Sequence, residues 1–568
     1  MKMKDRNALL KATLGGLATP ERLEEVANIP IEDTVNRCGN AAYTIEDELK
    51  LLGMLNTNKI TSQAYRTEDE VVEELGKLVE SVGMKDPYLL AQMIVYSRCM
   101  GEGLRSINHL AATIAAPFIS GKPWAKAFYG AFNKKAKQGG TIFRLDDMRE
   151  IKDAWAALNT DNAGHMTSLP NAMKKGFASV IENADGNLLA KYKDVVIDIA
   201  NLSHPSVKKA KAEIEIDGKK MKVMDAIVKG HTIIADTHES ANSEAGQLVA
   251  EAVKTGKLDK VEAEKVLADA KNANWKELLK ENKLGVLAAL RNIRNIMNVA
   301  DDEVIDMWCK LIDNKENLRR SLILPINLDL PYTIMDYEFP HSPYKAKVQK
   351  ALLSGYEKSL PNLATAMPGK TCIMVDCSGS MGWTECSIDG HRANTFWNSN
   401  LSNYKSTCSY KAGLIAATFA KATGADVIKF GTMAQKFAYD ANKNVFDLAK
   451  DFGTSEYGGT SPETAYRLIT NNHVKYDRII FISDNENNGE LASHAYKNYV
   501  SKVCSPYVYG IDLACYGTTP IKNDGKVSYY YGYGAEMYND ITKNEFNPMS
   551  HIDKVRKVVI DPNYNPNK

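Results

Sequence analysis

The sequence has almost no net charge: 71 basic against 70 acidic residues leave +1 over 568 positions. Neutrality on this scale says nothing against nucleic-acid binding, whose footprint is a local basic face rather than an overall sum. The chain also lacks any C-x-x-C pair, and none of its nine cysteines has a histidine at zinc-finger spacing. An odd, scattered set excludes a disulfide framework and reads as reduced intracellular thiols. No apolar run is long enough to span a bilayer; the most apolar, residues 109–120, is short and followed by charged sequence. Lys11 interrupts the apolar start, so a secretory signal is not expected and a cytoplasmic location is. With 25% charged and 44% hydrophobic residues, wholly disordered, collagen-like and coiled-coil chains are excluded. The length requires at least two domains.

What is present divides into two halves. From Thr44 to about Gly230 apolar residues recur at three and four positions, as in helical hairpins, although no repeat of fixed length exists. Thr67 to Glu70 form a capping-box start for a helix over 71–82, and Asp86-Pro87 opens the next. Residues 235–271, rich in Ala, Glu and Lys, read as an inserted helical pair, with helix-period sequence resuming at Trp275. Pro325, Pro331, Pro340 and Pro343 argue against continuous helix there and mark the inter-domain connection, before a helix near 345–358. After Gly369 short apolar runs at 371–376, 425–431, 478–483 and 507–513 alternate with helical stretches. That pattern predicts a doubly wound parallel sheet with its site at the carboxyl ends of the strands. The expected division is residues 1–360 helical and 367–568 α/β.

Asp376-Cys377-Ser378-Gly379-Ser380 lies where the first strand of the α/β half ends. An extended D-x-S-x-S turn aims one carboxylate and two hydroxyls into one crevice. These are hard oxygen donors, suited to Mg²⁺ or Mn²⁺ rather than zinc. Thr460, in the Gly458-Gly459-Thr460 loop, and Asp484, at the end of another strand, complete a predicted set of five ligands: Asp376, Ser378, Ser380, Thr460 and Asp484. The competing reading is that these residues cap successive helices. Asp484, Glu486 and Glu490 beside Asp376 raise a two-metal phosphodiesterase, but three hydroxyls leave few anionic ligands for a second ion and no general base stands nearby. No catalytic residue is assigned. Residues 382–408, with Trp383, Phe396 and Trp397, form a long loop whose aromatics either make a binding surface or cover their own domain.

In the helical half, residues 121–144 contain Lys122, Lys126, Lys134, Lys135, Lys137 and Arg144 and no acid; over 121–211 there are 15 basic and 9 acidic residues. Lys174-Lys175, Lys191, Lys193 and Lys208-Lys209 fall near helix ends. Such point charges suit phosphate contacts, although a solvated basic helix face has the same composition.

Five stretches carry a resemblance: N-R-C-G-N-A-A-Y-T from Asn36, S-R-x-x-G from Ser97, L-P-N-x-x-K-K-G-F from Leu169, L-A-K-Y-K from Leu189 and N-L-S-H-P from Asn201. They resemble the TROVE module, and D-x-S-x-S, Thr, Asp in that order resembles the metal-ion-dependent adhesion site of von Willebrand factor A domains. TROVE followed by an A domain is the architecture of the Ro autoantigen family and its bacterial and phage homologues, and the resemblance runs from about Asn36 to about Val558. It implies a HEAT-like helical-repeat ring followed by a doubly wound A domain. It also implies a monomeric, non-enzymatic protein that binds Y-RNA-like small RNA on a basic surface and single-stranded 3′ ends of misfolded RNA in a central hole. Mg²⁺, or Mn²⁺, is the implied ion, its vacant position available to a partner's acidic residue, and an exoribonuclease is an implied partner in RNA quality control. By motif match Lys191, Lys193 and His204 fall on the Y-RNA-binding segment, although residues 194–200 are acidic where the family is basic. The alternatives are a metal-dependent interaction scaffold and a metal-dependent nuclease.

Overall fold

The computed structural model describes residues 32–58, 60, 65–99, 104–131, 139–161, 164–216, 218–231, 233, 238–321, 323, 326–359, 367–382, 407–453, 458–490, 492–523, 526–532, 535–544 and 551–564. Its strands, in chain order, are β1 (Thr34–Val35), β2 (Ala41–Thr44), β3 (Glu213–Ile216), β4 (Lys219–Lys222), β5 (Thr371–Asp376), β6 (Asp426–Phe430), β7 (Ala434–Phe437), β8 (Arg478–Ser483), β9 (Tyr507–Asp512), β10 (Thr518–Thr519) and β11 (Val527–Tyr531). The chain forms two compact units, residues 1–78 with 360–552 and residues 79–359 with 553–568. This differs from the expected division at 360, because residues from 34 onward pair and hydrogen-bond with the sheet unit.

The sheet unit holds six strands in the order β11-β9-β8-β5-β6-β7, all parallel except β7. β5 and β8 are buried along their whole lengths, which is why their sequences run apolar without alternation. The four expected strands are present. Local sequence does not signal β7 and β11: β7 is a half-exposed edge, and β11 is a run of tyrosines after its first two residues. Helices Cys408–Thr423, Pro462–Asn471 and Ala492–Lys502 lie near the expected ranges, and Thr407 caps the first by accepting from the Tyr410 N–H. β1 and β2 form a hairpin, and β2 pairs with β10. Helix Asp47–Thr57 then places Gly53 against Cys515 and Tyr531.

The helical unit is built from successive helix pairs, with one hairpin, β3–β4, that helical periodicity does not reveal. The capping box forms as expected, with Glu70 accepting from Thr67 N–H at 2.7 Å and Thr67 Oγ1 accepting from Glu70 N–H at 3.3 Å. Asp86 caps helix Pro87–Cys99 through the Leu89 N–H. Two expectations are corrected. Helix Lys260–Lys280 is continuous across the anticipated end of the insertion at 271, since nothing between Ala270 and Trp275 interrupts it and Trp275 is buried. Pro331 lies inside helix Ile326–Tyr337, where burial of Leu328, Tyr332, Ile334 and Met335 outweighs the lost backbone bond.

Arg98 of the S-R-x-x-G stretch is a structural residue. It donates to Asp147 at 3.0 Å, and Arg105 Nε donates to the other oxygen of the same buried carboxylate, also at 3.0 Å. Burial alone would raise the Asp147 pKa, but Arg98 and its other partners hold it below the usual range. Helix Asn171–Asn183 crosses helix Ala125–Phe128 closely because position 176 has no side chain: a Cβ there would lie 2.5 Å from Tyr129 carbonyl atoms and 2.7 Å from its Cβ. Gly176→Ala therefore separates helices that are in backbone contact. It should destabilise the protein by about 1–3 kcal/mol, read as a lower denaturant midpoint.

Candidate functional site

The strand order reverses between β5 and β8, which opens a crevice at their carboxyl ends. Asp376 and Asp484 stand there, each 1% exposed. Ser483 Oγ donates to Asp376 Oδ2 at 2.6 Å, and the Ser378 N–H donates to Oδ1 at 2.8 Å, so the carboxylate is held from both sides. The turn brings the Ser378 and Ser380 hydroxyls within 3.3 Å of each other, and Ser380 also bonds Asp484. The loop bearing Thr460 docks on this turn through Gly379 N–H to the Gly458 carbonyl at 3.2 Å. On its far side the Thr460 N–H donates to Asn488 Oδ1 at 2.7 Å, and the Thr460 carbonyl accepts from the Asn488 and Gly489 N–H groups. Gly459 makes that approach possible, since a Cβ would stand 2.7 Å from Asn488 Oδ1. The loop that carries Thr460 thus lies against the turn that carries Ser378 and Ser380, and Ser380 joins that turn to Asp484.

Sequence reasoning missed the groups around them. Asn485 adopts φ 64°, turning the chain so that the Glu486 N–H donates to Asp484 Oδ1 at 3.2 Å. Glu486, which reads in sequence as a solvated helix-start acid, is fully buried; Oε2 accepts from the Arg37 N–H at 2.8 Å, and Oε1 has no hydrogen-bond partner. Asn36 and Asn40 donate side-chain N–H groups to the Asn487 carbonyl at 2.7 and 2.9 Å. Tyr65 bonds Ser380. The N-R-C-G-N stretch, expected to begin the helical module, therefore lies on the crevice. The Arg37 guanidinium points elsewhere, to Glu74 at 2.9 Å, a carboxylate shared with Lys50 and buried Arg66. Only the chain reversal at 36–40 brings these groups near 486, and nothing in local spacing signals it.

The electrostatics are those of a crowded acidic site. Burial, and then Asp484, push the Asp376 carboxyl well above its ordinary range, and burial does the same to Asp484. Burial, and then Asp484, raise Glu486 to about 8; burial raises Asp512, bonded to Asn485, to about 6. Among the described residues, no Lys, Arg or His forms an ion pair with Asp376, Asp484 or Glu486, and no group of three or more His, Cys, Asp or Glu is arranged to hold a metal ion. The donors are carboxylates mixed with hydroxyls, a set that fits a hard divalent cation. Asp376, Ser378, Ser380, Thr460 and Asp484 are the residues that could hold it.

On the helical unit, Arg144 Nη2 donates to Tyr192 Oη at 3.3 Å, and the two chain neighbours of that tyrosine, Lys191 and Lys193, are exposed. Arg144 also pairs with Asp146 at 2.9 Å. Lys126 and Lys175 are exposed on the two helices joined at Gly176, and Lys174 donates to Ser168 Oγ at 2.6 Å. His204 is exposed and ends helix Lys193–Ser203 in the left-handed region, φ 50°, a capping position. The acidic stretch 194–200 lies in that helix, where Val195, Val196, Ile199 and Ala200 are core. Lys134, Lys135, Lys137 and most of the 382–408 loop lie outside the described residues.

A unit of paired helices together with a doubly wound sheet of the von Willebrand A type defines the architecture. The crystal structure of Deinococcus radiodurans Ro (RSR) protein has a similar fold, matching over 89% of this chain and 100% of that one with a TM-score of 0.50 and 13% sequence identity. No family model matches the sequence, and no curated protein matches it. No helix among the described residues is long and apolar enough to cross a membrane.

The raised carboxyl groups have a definite consequence for stability. Unfolded, Asp376 and Glu486 release their protons near 3.8 and 4.5; folded, they hold them to higher pH, Glu486 to about 8. Between about 4.5 and 8 the folded state therefore binds more protons, and stability falls as pH rises. In EDTA the denaturant midpoint should drop from pH 5 to pH 8. Asp484→Asn, which removes one of the facing charges, should flatten the decline.

Proposed function

We propose that the protein is a non-enzymatic RNA-binding protein of the Ro type whose sheet domain carries an adhesion-type Mg²⁺ centre. The observation that carries the RNA reading is exposed Arg144, bonded to Tyr192 between exposed Lys191 and Lys193, on a helical unit of a chain similar in fold to a Ro protein. Point charges around an aromatic hydroxyl suit a phosphate backbone, where binding gains from the release of condensed counterions. Lys126, Lys174, Lys175 and His204, with Lys134, Lys135 and Lys137, extend the proposed surface. The ligand in this reading is a small structured RNA of the Y-RNA kind, with single-stranded 3′ ends of misfolded RNA as a second class. RNA quality control with an exoribonuclease partner is the corresponding role. The centre formed by Asp376, Ser378, Ser380, Thr460 and Asp484 supplies, when loaded with Mg²⁺ or Mn²⁺, a positive point that an acidic partner can engage. The buried, unneutralised carboxylates support this reading.

The combined variant Arg144→Gln, Lys191→Gln, Lys193→Gln should weaken binding of a structured RNA across sequences and lower the log-log salt slope by about one for each phosphate left without its cation. Filter binding at several salt concentrations measures it, and an unchanged slope excludes this surface. Labelled RNA kept with the protein and Mg²⁺ should stay intact; cleavage would favour the nuclease alternative. Asp376→Ala should abolish the rise in melting temperature on Mg²⁺ addition while RNA affinity is largely retained, as calorimetry and the same binding assay will show.

A further inference from the structure

Asp146 does not do what its position predicts. It immediately precedes helix Asp147–Leu158, where an aspartate ordinarily accepts from the free N–H groups of the first turn, as Asp185 and Asp301 do for their helices through Leu188 and Val304. Its own backbone is already helical, φ −70° and ψ −15°, and its side chain makes no capping bond. The carboxylate is committed to arginines instead: Oδ2 lies 2.9 Å from Arg144 Nη2 and 3.2 Å from Arg105 Nη2, while buried Oδ1 has no hydrogen-bond partner. Arg105 does not depend on it, since that side chain also meets Asp147 and Glu150, each at 2.8 Å. For Arg144, Asp146 is the one carboxylate partner among the described residues. The arginine is otherwise fixed by Tyr192 Oη at 3.3 Å and by its backbone N–H, which donates to Asp147 Oδ2 at 2.9 Å. Asp146 therefore neutralises the guanidinium that the RNA reading sets against phosphate.

We propose that Asp146 is an internal competitor for RNA: its carboxylate occupies the Arg144 guanidinium in the free protein, and a phosphate binds there only by displacing it. Both anions seek the same planar fork of donors. Neither the Tyr192 bond nor the Asp147 bond depends on Asp146, so Arg144 stays anchored through the exchange. An uncovered Asp146 attracts a salt cation while the phosphate releases one, so Arg144 adds less to the salt dependence of binding than an unpaired arginine would. Displacement weakens every ligand that engages Arg144, and only a ligand with further contacts offsets it, which makes the pair a device for discrimination. This rests on the reading that Arg144 contacts RNA.

A double-mutant cycle of Arg144→Gln and Asp146→Asn in the full-length protein tests the proposal, read by filter binding of a structured RNA at several salt concentrations. Asp146→Asn keeps the shape of the side chain and leaves Arg105 its two other carboxylates. It should bind RNA about two- to fivefold more tightly at low salt and steepen the log-log salt slope by up to about one. Asp146→Ser, which also removes the charge, should shift both in the same direction. On the Arg144→Gln background the Asp146→Asn gain should largely vanish, which a purely structural role for Asp146 would not produce. An equal gain on both backgrounds would mean that Asp146 only repels phosphate, and unchanged or weaker binding in both Asp146 variants would mean that it does not compete; either overturns the proposal. Wild-type affinity and slope in Arg144→Gln alone would instead remove Arg144 from the RNA surface, and with it the reading on which the proposal rests.

Discussion

Two carboxylates buried at the switch point of a parallel sheet are the constraint on which the site depends. Asp376 and Asp484 come from the ends of neighbouring central strands, so the sheet cannot form without bringing them together. Buried acidic groups with no basic partner are costly, and a fold tolerates them by hydrogen bonding, by proton uptake or by binding a cation. All the local structure serves the first: the extended turn after Asp376, the Ser483 hydroxyl and the reversal at Asn485 each direct a donor at one of these groups. The remaining deficit defines the site chemically.

The same constraint explains why N-terminal residues belong to the sheet unit. Glu486 accepts from the Arg37 N–H, and Asn487 accepts from the side chains of Asn36 and Asn40. The hairpin that supplies these groups is anchored by the β2–β10 ladder and by Glu74, which binds Arg37, Lys50 and Arg66 together. Burial would raise the Glu74 pKa, but the surrounding cations hold it below its usual value. That ion network lies beside the acidic crevice and leaves its carboxylates unneutralised, since Arg37 turns its charged end away from Glu486.

The helical unit handles charge in another way. Asp147, a buried acid of that unit, is met directly by Arg98 and Arg105, so its charge is matched by basic partners. The unit's basic residues at 144, 191 and 193 stand outside, with Arg144 bonded to Tyr192. The acidic stretch between Lys193 and His204 follows from helix packing: with Val195, Val196, Ile199 and Ala200 turned inward, Asp194 is left on the exposed side and Asp198 half-exposed.

The sequence by itself determined the parallel core strands, because strands buried on both faces must be apolar at every position, and it determined that the D-x-S-x-S turn and Asp484 stand at strand ends, because they directly follow two of those strands. It determined the capped helices at Thr67 and Asp86 for the same local reason, a side chain satisfying the first turn of its own helix. It did not determine β7 and β11, whose short polar or tyrosine-rich runs become strands only by pairing with β6 and β9. Nor did it reveal that Arg98 is structural, that Glu486 is buried, or that residue 36 lies against residue 487. These depend on contacts between residues far apart in the chain, where no spacing rule applies, and only the packed tertiary structure decided them.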